Sequence, residues 1–240
     1  MNVVLFGIGH WGKILANNLK DNYNLLKIFD SKSRIENYDF TDVNWAVVAT
    51  DNVNHFGVVK FLLNKKVNVF CEKPLTINYT TSKEIVSIAN EKNLKLYINH
   101  IYNKKRSKIK IVNNNFIYRS KNSKKTFENI LFDLFYHDLY LIINYINLND
   151  IEISNLSYNE VSLIFKIYSN NKTFNFSYYL DRNTEHIIND VSLIDDINYL
   201  PEEFKNVFNY KVNFEKNNLI ALNCNKFIDK LINFKKNFNA

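Results

Sequence analysis

The chain has 240 residues, of which 46% are hydrophobic and 15% aromatic, enough apolar material for one large domain or two smaller ones. No apolar run approaches the ~20 residues that cross a bilayer, and the first residues lack the pattern of a secretory signal. Cys71 and Cys224 have no metal-binding spacing. We therefore expect a cytoplasmic protein with no membrane contact and no bound metal.

The charge balance is basic, with a formal net charge of +7. Lysine-rich runs occur at residues 104–106 and 121–125. Basic surfaces are typical of nucleic-acid-binding proteins, but no nucleic-acid-binding motif accompanies these runs. The charge instead favours attraction of anionic small molecules such as phosphates. We expect no nucleic-acid partner.

The first hundred residues alternate between strand and helix patterns. Short β-branched and aromatic runs predict strands that are buried on both faces, and apolar residues at helical spacing predict amphipathic helices. The predicted strands cover residues 3–6, 25–29, 45–49, 67–71 and 94–98, and the helices cover 11–19, 55–63 and 80–90. This alternation predicts an α/β Rossmann domain with a parallel sheet at residues 1–110.

The pattern changes after about residue 110. One strand is predicted at residues 116–119 and a long apolar helix at 128–146. Alternating apolar and polar residues then predict further strands, whose short connections favour antiparallel pairing. These strands cover residues 151–156, 161–168, 174–180 and 186–191, and a final amphipathic helix covers 219–234. We predict a C-terminal α+β domain at residues 111–240 with a mostly antiparallel open sheet.

A glycine-rich turn lies between the first predicted strand and the first helix. Of its three glycines, the first permits a tight turn, the second lets the backbone approach a pyrophosphate, and the third lets helix and strand pack closely. The helix N-terminus adds free N–H groups and partial positive charge. We assign a dinucleotide-binding role to Gly7, Gly9, His10, Trp11 and Gly12.

Asp30 ends the second predicted strand, at about the 20-residue interval expected of a Rossmann acidic residue. A carboxylate there accepts hydrogen bonds from the adenosine ribose and repels the 2′-phosphate of NADP, so it favours NAD. Lys32 and Arg34 follow closely and can offset part of that repulsion, which leaves NADP open. The non-functional alternative is a glycine turn without a ligand.

Several segments together resemble the Gfo/Idh/MocA family of oxidoreductases. Residues 67–76 read VNVFCEKPLT, like the family strand that ends in Glu-Lys-Pro, and residues 46–50 followed by His55 are similar to its third-strand segment. Asp133-x-x-x-His137 resembles its second-domain signature, and residues 225–229 resemble its closing segment. The resemblance implies an NAD(P)-dependent dehydrogenase acting on a CH–OH group of a sugar, sugar acid or nucleotide sugar.

The resemblance also implies roles for individual residues. Lys73 would hydrogen-bond the reacting hydroxyl and stabilise developing negative charge, and His137 would take the proton of an alcohol near neutral pH. Asp133, one helical turn before His137, would orient its imidazole or bind a substrate hydroxyl. Further cofactor contacts are expected from Thr50, His55, Glu72 and Lys73, further substrate contacts from His100, Tyr102 and Asn103, and support behind His137 from Asp138.

Two features depart from the family pattern. Phe135 stands where the family commonly has glycine, and a ring there would crowd a ligand approaching this helix. The second domain is short, and residues 104–112 leave little room for a connecting helix. Two alternatives therefore stay open, a non-catalytic dinucleotide-binding sensor or subunit and an NAD-retaining lyase or hydrolase.

Relatives use the second domain for substrate binding and bury its open sheet in dimers or tetramers. The resemblance therefore implies that residues 111–240 form the substrate-binding and oligomerisation domain. Because large apolar faces are rarely left exposed, we expect a homodimer or homotetramer through the C-terminal sheet.

Overall fold

The computed structural model describes residues 1–123, 125–194 and 197–238. The chain divides into two compact units: unit 1 comprises Met1–Ile101 with Asn198–Asn225, and unit 2 comprises Tyr102–Ile197 with Lys226–Ala240. The first continuous part of unit 1 thus ends at residue 101, where the prediction has 110. A late stretch of the chain, residues 198–225, also belongs to unit 1. Within the described ranges, no helix is long and apolar enough to span a membrane.

Unit 1 contains a five-stranded parallel sheet, as predicted, in the order β2-β1-β3-β4-β5. After β1 the chain adds β2 on one side and then β3 on the other, so a topological switch point lies between β1 and β3. The strands are β1 (Asn2–Phe6), β2 (Asn24–Phe29), β3 (Trp45–Val48), β4 (Asn68–Cys71) and β5 (Leu96–Ile98), and the connecting helices are α1 (His10–Lys20), α2 (His55–Asn64) and α3 (Tyr79–Glu91).

Alternate residues of each strand bury on opposite faces of this sheet. Val4 and Phe6 pack in the core that α2 and α3 cover, whereas Val3 and Leu5 pack in the core that α1 covers. That second core also contains helix α6 (Leu200–Phe208), which the sequence pattern did not predict.

Helix α6 explains why the late stretch belongs to unit 1. Its Phe204 ring lies 4.8 Å from the Phe70 ring of β4, and its Phe208 ring lies 5.0 Å from the Trp45 ring of β3. These aromatic side chains bury a large apolar area within unit 1, whereas the predicted division at 1–110 and 111–240 assigns residues 198–225 to the second domain.

Unit 2 contains a six-stranded sheet in the order β11-β10-β6-β9-β8-β7. Neighbouring strands are antiparallel except for β6 and β9, which pair in parallel. The prediction of a mostly antiparallel sheet is thus confirmed. The strands are β6 (Asn114–Ser120), β7 (Glu152–Tyr158), β8 (Ser162–Ser169), β9 (Lys172–Tyr179), β10 (Glu185–Ile188) and β11 (Val191–Ser192).

The long apolar helix predicted at residues 128–146 is interrupted by a π-helical turn. Its parts are α4 (Phe127–Ile130), the π-helix Leu131–Phe135 and α5 (Tyr136–Ile142). A π-helical turn widens the backbone locally and often marks a functional position. The final helix, α7 (Phe214–Phe238), begins before the predicted residue 219. The segment at 104–112 holds a 3₁₀ helix, Asn103–Lys108.

Phe135 is fully buried beneath the π-helical turn. Its ring centroid lies 5.3 Å from that of Phe165 on β8 and 5.2 Å from that of Phe176 on β9. The ring therefore fills the core between helix and sheet. The expectation that it crowds an approaching ligand is not met, because its side chain is directed into this core.

Candidate functional site

The glycine turn has the geometry that its sequence predicts. Gly7 has a φ of +99°, and a Cβ added there would lie 2.2 Å from the carbonyl oxygen of Ala49. A Cβ on Gly12 would lie 2.2 Å from the carbonyl oxygen of Gly7. A Cβ on Gly9 would meet no described atom within 4 Å. Gly7 and Gly12 thus allow close backbone contacts, whereas Gly9 borders open space.

A cleft of about 860 Å³ opens beside this turn. It lies at the switch point between β1 and β3, where open α/β sheets bind their ligands. Its walls come from the glycine turn, the end of β2, the end of β3 and the start of α2. Four predicted cofactor residues line it: Gly7, Gly9, Asp30 and Thr50.

Two neighbouring groups fix the carboxylate of Asp30 at the edge of this cleft. Its Oδ1 accepts hydrogen bonds from the Ser33 hydroxyl at 2.8 Å and from the Lys32 backbone N–H at 3.0 Å. These hydrogen bonds lower the pKa of Asp30, with the Ser33 hydroxyl contributing most. The carboxylate is therefore ionised at neutral pH and presented in a defined orientation. Ser33 was not predicted, although Asp-x-x-Ser is a recognisable turn pattern.

His55 lies at the start of α2 and is completely buried. Its Nδ1 lies 2.7 Å from the carbonyl oxygen of Pro74, and its Nε2 lies 2.9 Å from that of Thr50. Burial lowers the pKa of His55. The imidazole thus joins the residues that follow β3 to those that follow β4, so a contribution of His55 to the cofactor site would be structural.

Glu72 and Lys73 follow β4 directly. Glu72 is buried, and its Oε1 accepts a 2.7 Å hydrogen bond from the Asn99 amide. Burial raises the pKa of Glu72, against the lowering effect of the Asn99 hydrogen bond. Lys73 is half-buried and precedes Pro74 across a cis peptide bond, and His100 is buried next to Asn99.

Helix α7 supports the same end of the sheet. Asn217 is buried, accepts a 2.8 Å hydrogen bond from the Ile98 N–H and donates a 3.0 Å bond to the Ile98 carbonyl. The Asn225 amide donates to the Thr76 carbonyl at 2.7 Å. The late stretch of unit 1 therefore fixes the end of β5 and the loop after β4. The remaining predicted cofactor residues lie at the start of α1, where His10 is exposed and Trp11 is half-buried.

The other predicted catalytic residues belong to unit 2. Asp133 lies in the π-helical turn, where its carboxylate forms an ion pair with the Lys125 ammonium, and its side chain is 42% exposed. His137 is buried near the start of α5. The Tyr102 ring packs edge-on against the His137 imidazole, with centroids 5.0 Å apart. Asn103 accepts a 3.1 Å hydrogen bond from the Tyr140 hydroxyl.

Asp138, beside His137, is fully buried and forms an ion pair with His186 of β10. It also accepts a 2.8 Å hydrogen bond from the Tyr178 hydroxyl of β9. Burial opposes ionisation of Asp138, but the charge and hydrogen bond of His186, aided by Arg119 and Tyr178, hold its pKa below the ordinary value. His186, Arg119 and Lys125 were not predicted, because no local motif links them to the helix that they contact.

Residues 27–100 match the family model GFO_IDH_MocA, described as an oxidoreductase family with an NAD-binding Rossmann fold. Over this range the chain is similar to the Gfo/Idh/MocA oxidoreductases. The matched range contains Asp30, Thr50, His55, Glu72 and Lys73. A search of curated protein sequences returned no match.

Several solved dehydrogenases share the fold of this chain over nearly its whole length. UDP-N-acetylglucosamine 3-dehydrogenase GnnA from Acidithiobacillus ferrooxidans has a TM-score of 0.79 at 16% identity, covering 93% of this chain and 94% of that chain. The dehydrogenase MviM from Clostridium difficile has a TM-score of 0.77 at 16% identity, covering 97% and 99%.

WlbA dehydrogenase from Thermus thermophilus, in complex with NAD and UDP-GlcNAcA, has a TM-score of 0.76 at 11% identity, covering 95% and 94%. At identities this low, these three likenesses establish the fold alone.

Proposed function

We propose that this chain is an NAD-dependent dehydrogenase that oxidises or forms a hydroxyl-bearing carbon of a sugar, sugar acid or nucleotide sugar. The observation that carries this proposal is the cleft in unit 1, where the glycine turn and a fixed, ionised Asp30 lie together. The matched family is one of oxidoreductases, which supports redox chemistry in that cleft.

The residues of the cleft fit a nicotinamide dinucleotide. The open space at Gly9, next to the N-terminus of α1, suits a pyrophosphate. The Asp30 carboxylate suits ribose hydroxyls as hydrogen-bond donors and disfavours a 2′-phosphate. Exposed apolar side chains, including Val53, offer a surface for a flat base. NAD is therefore proposed over NADP.

When bound, NAD would supply the redox chemistry by accepting a hydride, which is one proton with two electrons, from the substrate carbon. We propose that Lys73 donates a hydrogen bond to the reacting oxygen and stabilises its developing negative charge. His137 is proposed as the base that takes the hydroxyl proton. Asp133 is proposed to bind a second substrate hydroxyl, with Lys125 as its ion-pair partner. Contacts from His100 and Tyr102 to the substrate remain part of this proposal.

The substrate class is proposed from charge and from the neighbouring proteins. A net charge of +7 attracts anionic molecules, and two structural neighbours are named for, or bound to, a nucleotide sugar. A nucleotide sugar carries a diphosphate, so it combines the expected hydroxyl carbon with the expected negative charge.

The test is turnover with a panel of sugars, sugar acids and nucleotide sugars, followed by the absorbance of reduced nicotinamide. We expect turnover with at least one of them and near-total loss in Lys73→Ala and in His137→Ala. Lys83→Ala, an exposed lysine of the same unit, is the matched control and should keep full activity. Loss in the control, or full activity in both site variants, would contradict the assignment.

The two alternatives correspond to different outcomes of the same panel. Tight NAD binding without any turnover would favour a dinucleotide-binding sensor, although Phe135, one argument for a sensor, lies in the sheet core. Elimination or hydrolysis that needs NAD without net reduction would favour the lyase or hydrolase.

We also propose a homodimer or homotetramer through the outer face of the unit 2 sheet. Phe116 on that face is 59% exposed, and Tyr168 is 45% exposed. A monomer in light scattering at micromolar concentration would refute this part. A cytoplasmic location is proposed because the chain has only two cysteines, a content that does not favour an oxidising compartment, and cell fractionation tests it.

A further inference from the structure

A buried polar cluster lies behind His137 in unit 2. Asp138 and His186 are both almost entirely buried and form an ion pair. Tyr178 is fully buried and donates its hydroxyl to the second carboxylate oxygen of Asp138. Because His137 and Asp138 are consecutive on α5, the cluster is joined to His137 through the helix backbone itself.

Tyr102 provides a second connection. Its ring packs edge-on against the imidazole of His137 at 5.0 Å and against that of His186 at 4.8 Å, so one aromatic ring contacts both histidines. Edge-to-face packing of this kind restricts the rotation of each ring. The imidazole of His186 therefore supports the ring that in turn contacts His137.

Arg119 holds Tyr102 from the side of the sheet. Its Nη2 donates to the Tyr102 hydroxyl at 3.4 Å, and its guanidinium carbon lies 5.6 Å from the ring centroid. Its Nη1 donates a 3.1 Å hydrogen bond to the Leu134 carbonyl in the π-helical turn. One arginine thus links the Tyr102 ring to the helical turn that precedes His137.

Stability alone does not account for such a cluster. Burying an ion pair costs desolvation energy that its attraction repays only in part, and apolar replacements of similar volume are often as stable. Hydrogen bonds within a buried polar network do, however, restrict the orientation of the side chains that make them. Tyr102 is the residue of this group whose ring contacts the imidazole of His137.

We propose that His186, held by Asp138, is a positioning residue for His137 that acts through the ring of Tyr102. His186 itself is covered, so it does not touch the substrate. The inference rests on the proposed function only in giving His137 a catalytic role, since the fixed orientation of its ring is a property of unit 2 alone.

The test uses the full chain and His186→Gln, whose amide retains a donor for Asp138 but removes the imidazole that supports Tyr102. The chain has 5 histidines, so ¹H–¹⁵N spectra resolve their ring signals, and His137→Gln identifies the signal of His137. We expect His186→Gln to shift and broaden the His137 signal. With substrate, we expect kcat to fall by about 10- to 100-fold, with the Kd of NAD unchanged.

Tyr145→Phe is the matched control, because Tyr145 is a tyrosine of unit 2 that lies outside the cluster and is 40% exposed. It should leave the His137 ring signal and kcat unchanged. A folded His186→Gln variant with an unaltered His137 signal would overturn the inference, and so would a Tyr145→Phe variant with the same shift.

If His186→Gln does not fold, Tyr102→Leu replaces it, and the same change in the His137 signal is expected. An unaltered signal in a folded Tyr102→Leu variant overturns the inference. A wild-type chain without turnover would refute the proposed function but not the positioning of His137, since the ring signals are measured without substrate.

Discussion

Replacing Gly7 by alanine should destabilise unit 1, whereas the same change at Gly9 should not. An alanine at a φ of +99° is strained, which costs about 1–3 kcal/mol. Its Cβ would lie 2.2 Å from the Ala49 carbonyl oxygen, and relieving such overpacking costs about 1–3 kcal/mol more. A total near 4 kcal/mol corresponds to a fall in Tm of about 8–16 °C for a chain of this size.

The assay is intrinsic fluorescence during thermal unfolding. The chain's two tryptophans, Trp11 and Trp45, both lie in unit 1, so their emission reports on this unit. Gly9→Ala places its Cβ in open space at the N-cap of α1, so it should cost less than about 1 kcal/mol. It should nevertheless weaken NAD binding by about tenfold or more, because the methyl group occupies the space proposed for the pyrophosphate.

Equal losses of stability in the two variants would refute this reasoning. So would a Gly7→Ala variant whose unfolding temperature matches the wild type. NAD affinity unchanged in Gly9→Ala would instead refute the proposed position of the pyrophosphate and leave the account of stability intact.

Further variants test other parts of unit 1. Asp30→Ala should weaken NAD binding by about 10- to 100-fold in titration calorimetry, because hydrogen bonds to a charged group contribute about 1.5–3 kcal/mol; an unchanged affinity would exclude Asp30 from the site. Burial raises the pKa of Glu72 above its ordinary 4.5, so folding takes up a proton between pH 4.5 and the raised pKa. The free energy of unfolding therefore falls as pH rises through that interval. Glu72→Gln should therefore raise Tm at pH 7 and flatten the Tm–pH profile above pH 4.5, and a lowered Tm would contradict this. Phe204→Ala should lower the free energy of unfolding in urea by about 3–5 kcal/mol, because the Phe204 ring is fully buried against the Rossmann sheet. A loss below about 1 kcal/mol would contradict the packing of α6 in unit 1. Gly57 lies on the exposed face of α2, so Gly57→Ala should raise the free energy of unfolding by about 0.5–1 kcal/mol. A decrease of that size would show that this glycine has a packing role.

Local patterns were enough to predict the sheet of unit 1 and its glycine turn. Val3–Phe6 and Trp45–Val48 are apolar throughout because both faces of a parallel sheet are covered. Gly7 and Gly12 occupy positions where a side chain would collide with backbone. Each of these signals depends on residues that are neighbours in the sequence.

Contacts between distant residues were not predictable in the same way. Asp138 and His186 are 48 positions apart, and a lone histidine in a strand carries no local sign of its partner. Helix α6 was not predicted, because the residues that bury its apolar face, Phe70 and Trp45, are distant in the sequence. The π-helical turn around Asp133 was also missed, since helical periodicity does not separate it from an ordinary helix.

The return of residues 198–225 to unit 1 has a consequence for synthesis on the ribosome. The aromatic side chains of α6 pack on one face of the Rossmann sheet, and they are synthesised only after all strands of unit 2. About 100 residues separate the two parts, which at translation rates of about 5–20 residues per second is a delay of roughly 5–20 seconds. During that interval Phe70 and Trp45 lack the Phe204 and Phe208 rings that cover them in the finished protein. Until α6 has been made, the nascent chain therefore exposes apolar side chains that the finished protein covers.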